Sequence, residues 1–230
     1  MWSRPDIRLL AAVATLVVTA SGVHAQPRVD ARLIEAIGWY TGVAGRVDDP
    51  KARGLIDASA ADGDVLARMW VARAYSRGRL GYPRDESKAR AMAELLVDAV
   101  HRQAGLGSTE AVFLMGTAHD EALGVGEDPA VALAWFHKAA AEGHTLAEHN
   151  LGNAYAAGRG VAADPAAAVA WWTKAALKGD AVTQVRLGEA YEQGKGVAVD
   201  LPAAKRWYGD AAARGNAAAT AALQRLGAPR

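Results

Sequence analysis

Two arginines four residues apart, Arg73 and Arg77, lead the residues that could do chemistry. In a helix that spacing puts both on one face, and two guanidinium forks there can clamp a carboxylate or phosphate through paired hydrogen bonds. They sit in a basic cluster, Arg68, Arg73, Arg77, Arg79, Arg84, Lys88 and Arg90, countered only by Asp85 and Glu86. A solvated charged face is the plainer reading of the same cluster. Asn150 and Asn153 stand one helical turn apart, and a side-chain amide, which both donates and accepts, suits a peptide backbone. His137, His144 and His149, with Glu142 and Glu148, raise the question of a metal. His144 and His149 are five apart and do not share a face as an i, i+4 pair would, so no metal is expected. No Gly-x-Ser-x-Gly or Ser-x-x-Lys occurs, and no catalytic residue is assigned.

Composition narrows the setting. The chain has 230 residues, 51% of them hydrophobic, and no cysteine, which excludes thiol chemistry, disulfides and lipid attachment at a cysteine. Residues 1–25 read as an export signal: Arg4 and Arg8, an apolar stretch from Leu9 to Val18, then Val23-His24-Ala25 as a small-residue cleavage site. The strictly apolar run is shorter than the ~20 residues a membrane span needs; an uncleaved anchor is the competing reading. Cleavage would remove two basic residues and one acidic, turning 26 and 25 into 24 and 24. A neutral product argues against bulk nucleic-acid binding. No cofactor and no membrane span in the cleaved protein are expected, and the product is expected to be exported, periplasmic or secreted.

The elements that would position these side chains announce themselves by repetition. Leu151-Gly152 recurs as Leu187-Gly188 and as Met115-Gly116, each thirty-six residues away. In the same register Tyr155 meets Tyr191 and His119, Gly160 meets Gly196 and Gly124, and Asp164 meets Asp200 and Asp128. Trp171-Trp172 matches Trp207-Tyr208 and Trp135-Phe136, and Gly179 matches Gly215 and Gly143. Two worn copies precede these. One keeps Tyr75, Gly78, Gly81, Asp85 and Lys88-Ala89 with one residue inserted, and its second helix is expected to run on to about Gly105 or Gly107. The other keeps Tyr40, Gly45, Asp49-Pro50 and Lys51-Ala52, with Ile56 in place of tryptophan. Five units follow, at about 30–63, 64–107, 108–143, 144–179 and 180–215, the first two degenerate, with a capping helix over 216–230.

Each unit reads as two helices. Ala147, Leu151, Ala154 and Tyr155 share a face by three- and four-residue steps. Gly158 and Gly160 end that helix, Asp164 caps the next and Pro165 opens it. Gly152 clears room for a close neighbour at a cost of about 1 kcal/mol against alanine, and the tryptophans fill the gap between helices. A phosphate loop would need a preceding strand and a Gly-Lys-Ser/Thr ending, and has neither.

The stretch "AEHNLGNAYAAGRGVAADPAAAVAWWTKAALKG" (147–179), with "GVAVDLPAAKRWYGDAAARG" (196–215), resembles the Sel-one-like repeat family, a branch of the tetratricopeptide-like solenoids. The resemblance covers 108–215 strongly and 30–107 weakly. It implies an all-α, right-handed α/α solenoid of tandem helix-turn-helix repeats whose inner curve is lined by the first helix of each unit. Carried onto this chain, the family's inner-face positions are Met69, Arg73 and Arg77; Phe113, Thr117, Asp120 and Glu121; His149, Asn150 and Asn153; and Val185, Arg186, Glu189 and Glu192. They describe a groove with a basic and a more acidic end. In peptide-binding tetratricopeptide proteins, asparagines at similar positions hold a peptide's backbone or terminal carboxylate. The expected binding set is therefore Arg73, Arg77, Thr117, Asp120, Asn150, Asn153, Arg186 and Glu189. The resemblance implies a non-enzymatic scaffold binding a protein or peptide, in bacterial envelope signalling, envelope maintenance or host interaction. Cysteine-rich relatives of the class are associated with β-lactams, but carry a disulfide in each repeat that this chain lacks. An enzyme acting on cell wall or β-lactams is one alternative. A glycan-binding module is another, for which Phe113 and Trp70 would be the aromatic platform.

Overall fold

A computed structural model describes residues 28–227; the expected signal segment lies outside the described residues. Those residues form twelve helices and no strand. Ten make antiparallel pairs: α1 (Ala31–Thr41) with α2 (Asp49–Ala61), α3 (Val65–Arg77) with α4 (Glu86–Glu94), α6 (Thr109–Glu121) with α7 (Pro129–Ala141), α8 (Thr145–Ala157) with α9 (Pro165–Leu177), and α10 (Ala181–Gln193) with α11 (Leu201–Ala213). Between the second and third pairs lies α5 (Val97–Gly105), and α12 (Ala217–Gly227) packs on α11. Each helix packs mainly on its neighbours in the chain, the contact pattern of a solenoid.

The second helices start where the sequence places a cap. Asp164 accepts the backbone N–H of Ala167 at 2.9 Å, and Asp200 that of Ala203 at 2.8 Å. Such a cap contributes about 1 kcal/mol. The same aspartates close the connecting loop. Backbone N–H groups of Asp164, Asp200 and Asp128 donate to the carbonyls of Tyr155, Tyr191 and His119 at 2.8, 2.9 and 3.0 Å.

That bond corrects the register of the first unit. It runs from Asp48 to Trp39 at 3.0 Å, and Asp48 caps α2 through Lys51 N–H. The unit therefore begins one residue earlier than Tyr40 and Asp49 suggest. Two adjacent aspartates offered two caps, and the loop geometry selects the first. In the corrected register Ala36 stands at the position of Gly152 and Ile56 at that of Trp172, and both are buried.

Gly152 proves to make room for a side chain rather than for a helix backbone. A β-carbon at Gly116 or Gly188 would lie 2.5 Å from the ring of Phe136 or Tyr208, and one at Gly152 would run into the indole of Trp172. The missing methyl in each first helix thus receives the aromatic ring of its partner helix. In the second unit the corresponding residues are Ala72 and Ala93, both buried, so two small residues replace a small and a large one.

Two features depart from expectation. The long second helix of the second unit is broken: α4 ends at Glu94, and α5 begins at Val97. Gly124 presses on this point, where a β-carbon would fall 2.7 Å from the Ala93 carbonyl oxygen, and the break lets Leu96, Val97, Val100 and Ala104 bury. The other departure is that the two ends of the solenoid meet. Val47 N–H donates to the carbonyl of Arg214 at 2.9 Å, and a β-carbon at Gly42 would lie 3.2 Å from Cβ of Ala181. The inner face is consequently not an open groove.

Candidate functional site

With the ends together, the inner face forms a partly open cavity of about 440 Å³. Tyr40 and Thr41 close it from α1, Arg73 and Arg77 enter from α3, and Asp120 and Glu121 from α6. Leu133 and Phe136 of α7 and His149, Asn150 and Asn153 of α8 form another wall; Arg79, Arg159 and Asp180 come from the connecting loops.

The arginines converge on one internal acid. Glu121, its side chain 4% exposed, has Arg77 Nε at 3.5 Å and Arg73 Nε and Arg79 Nη2 each at 3.8 Å, and it accepts the hydroxyl of Ser76. Arg73 is itself 4% exposed and lies over Trp70 and Phe113, 4.8 and 5.2 Å from their ring centres. Burial lowers its guanidinium from the ordinary arginine value. Its Nε and Nη1 are buried without a hydrogen-bond partner. Arg77 is 45% exposed. Arg159 is already engaged, donating to Asp120 and Glu127 at 2.8 Å each.

Across the cavity a directed chain of hydrogen bonds fixes α8. The Trp172 indole can only donate, and it gives its proton to Asn153 Oδ1 at 3.2 Å. The Asn153 amide nitrogen must then donate to His149 Nε2, 2.9 Å away, leaving Nδ1 to donate to the Thr183 hydroxyl at 2.7 Å. Burial, first among the causes, lowers the His149 pKa, consistent with a neutral ring. A second chain runs from Trp70 to Glu110 at 2.7 Å and from His144 Nε2 to Glu110 at 2.9 Å.

Of the eight residues in the expected binding set, Arg73, Arg77, Asp120, Asn150 and Asn153 line this one cavity. Thr117 does not present itself to any ligand: it is 1% exposed and its hydroxyl donates to the Leu114 carbonyl of its own helix. Arg186 and Glu189 lie outside the cavity lining and pair with each other at 3.1 Å. Asn153 lines the cavity but has both halves of its amide committed to Trp172 and His149. Phe113 and Trp70, named as a glycan platform, are core residues at 0% and 2% exposure. The three histidines have separate roles: His144 caps α8, His149 joins Asn153 to Thr183, and His137 lies edge-on to Trp171. Sequence reading missed Arg79, Arg159, Asp180 and Tyr40 as cavity residues; the first three are loop positions with no helical periodicity to mark them, and Tyr40 of α1 reaches the cavity only because the ends of the solenoid meet.

The Sel1 repeat matches residues 65–99, 109–144, 145–180 and 181–216. The chain belongs to the Sel1 repeat family. Among solved structures it is similar to a Sel1 repeat protein from Oxalobacter formigenes, with 35% identity, a TM-score of 0.51, and coverage of 78% of this chain and 50% of that one. It is also similar to c5321, a protective antigen present in uropathogenic Escherichia coli strains displaying an SLR fold, at 24% identity and a TM-score of 0.57, over 85% of this chain and 48% of that one. The immunity protein Pa5087 from Pseudomonas aeruginosa matches at 22% identity and a TM-score of 0.53, over 90% and 75%. This Sel1 repeat chain thus spans about half the length of the first two. The latter two likenesses, under 25% identity, concern the fold. No curated protein matches the chain. No described helix is long and apolar enough to cross a membrane.

Proposed function

We propose that this Sel1 repeat protein is an exported, non-enzymatic scaffold that holds a peptide or a segment of a partner protein at the mouth of its inner cavity. The observation that carries the reading is the convergence of Arg77 and Asn150 on one cavity from separate units. Arg77 is half exposed, and Asn150, partly exposed, makes no side-chain hydrogen bond among the described residues. Asn150 is free for a partner, and Arg77 can turn to one while Arg73 and Arg79 stay beside Glu121. The scaffold fold of the family supports a protein ligand, and residues 1–25 support export.

The test is capture from an envelope extract by the full chain, set beside an Arg77→Ala/Asn150→Ala variant and a Lys205→Ala variant on exposed α11. A protein retained by the parent and by Lys205→Ala, but lost by the double variant at unchanged melting temperature, is the expected result. Retention by the double variant, with loss by Lys205→Ala, would move the binding surface to the second helices.

A further inference from the structure

Arg73 is the anomaly of the cavity. A guanidinium carries five N–H donors and cannot shed its charge in a protein. Here it is 4% exposed, no hydrogen bond reaches it among the described residues, and Nε and Nη1 are buried without partners. Leaving charged donors unpaired in a desolvated place is costly. Trp70 and Phe113 hold the guanidinium by cation–π contact, and with Nε and Nη1 closed off, Nη2 is the nitrogen that remains for an acceptor in the cavity. The nearest carboxylate oxygen, Oε1 of Glu121, stops at 3.8 Å and is shared with Arg79, while Arg77 takes Oε2.

Charge and lining define what would complete the site. Four arginines line the cavity (Arg73, Arg77, Arg79 and Arg159) against three carboxylates, Asp120, Glu121 and Asp180. Asp120 is taken by Arg159, and Asp180 caps α10. Arg159 is further held by Glu127, so the excess of positive charge lies at the Arg73 end, where Arg73, Arg77 and Arg79 face the one carboxylate of Glu121. Leu133, Phe136 and Leu146 supply an apolar wall in the same space, and about 440 Å³ lies within the range of about 300–1,000 Å³ typical of small-ligand sites. We propose that the cavity seats one carboxylate carried on a compact apolar body, with Arg73 as its principal donor and Arg77 closing over it. The carboxylate belongs either to a free organic acid or to the end of a peptide chain. The seat stands whether or not a protein partner uses the same face, so each can fail without the other.

The experiment is titration calorimetry of the full chain with 3-phenylpropanoate, 3-phenylpropanamide, inorganic phosphate, and an acetylated Ala-Phe dipeptide with a free or an amidated carboxyl group. The acids should bind, and their amides bind at least about tenfold more weakly, the loss expected for hydrogen bonds to a charged group. Arg73→Met should lose the acids by a similar factor while melting no lower than the parent, because it removes buried donors that lack hydrogen-bond partners and leaves Arg77 and Arg79 beside Glu121. Glu121→Gln, which withdraws the competing internal carboxylate, should tighten acid binding several-fold and keeps the test open should Arg73→Met fail to fold. The stronger of the free acid and the dipeptide acid assigns the source. Amides binding as well as acids, phosphate binding more tightly than either acid, a folded Arg73→Met binding like the parent, Glu121→Gln binding no more tightly, or no acid binding at millimolar concentration would each overturn the proposal.

Discussion

Asn153 joins Trp172 and His149 through the two ends of one amide, so its replacement reaches into the packing of the repeat. Asn153→Ala leaves an indole N–H and an imidazole nitrogen without their partner, and should cost about 1–3 kcal/mol, read as a lower urea midpoint. Asn150→Ala, one turn away, should leave that midpoint in place; equal midpoints for both variants would show that the amide chain contributes nothing. The register of the repeat was enough to place Arg73, Arg77, Asp120, Asn150 and Asn153 around one space. It could not say what each side chain does there. Thr117 turns its hydroxyl back to Leu114, and Arg73 answers to Glu121, forty-eight residues on. Such partners are set by helix packing, which local spacing does not encode.

At the scale of the helix pair, the glycine in the first helix and the ring in the second act as one unit. Gly152→Ala gains about 1 kcal/mol of helix propensity but drives a methyl into Trp172, and overpacking costs about 1–3 kcal/mol. A net loss is expected, and it should shrink when Trp172→Ala is added, the sign of direct coupling; additive losses in the double-mutant cycle would separate the two positions. These pairs were legible because Leu-Gly and the aromatic recur thirty-six residues apart, and the helix starts because Asp-Pro writes a cap and a first turn together. The break between α4 and α5 was not legible. It falls at Leu95 and Leu96, with neither glycine nor proline to mark it. The first unit was misread by one residue because Asp48 and Asp49 are equivalent as caps until the loop bond to Trp39 is known.

For the molecule as a whole, the decisive contact joins residues that no repeat pattern relates: the loop after α1 and the far pair α10/α11. The solenoid was evident in the sequence, but its closure was not, since it depends on small rotations summed over the units. Closure turns an expected groove into a cavity and brings Tyr40 and Asp180 to the same space as Arg73. The most direct test of this account is the distance between spin labels at Val43→Cys and Val182→Cys, exposed neighbours of the contacting Gly42 and Ala181. The chain has no other cysteine, so only these two sites react. Covalent geometry limits the two Cα atoms to about 14 Å, and a single short separation is expected. A dominant population beyond about 30 Å, three helix diameters, would mean an open solenoid and contradict the meeting of its ends.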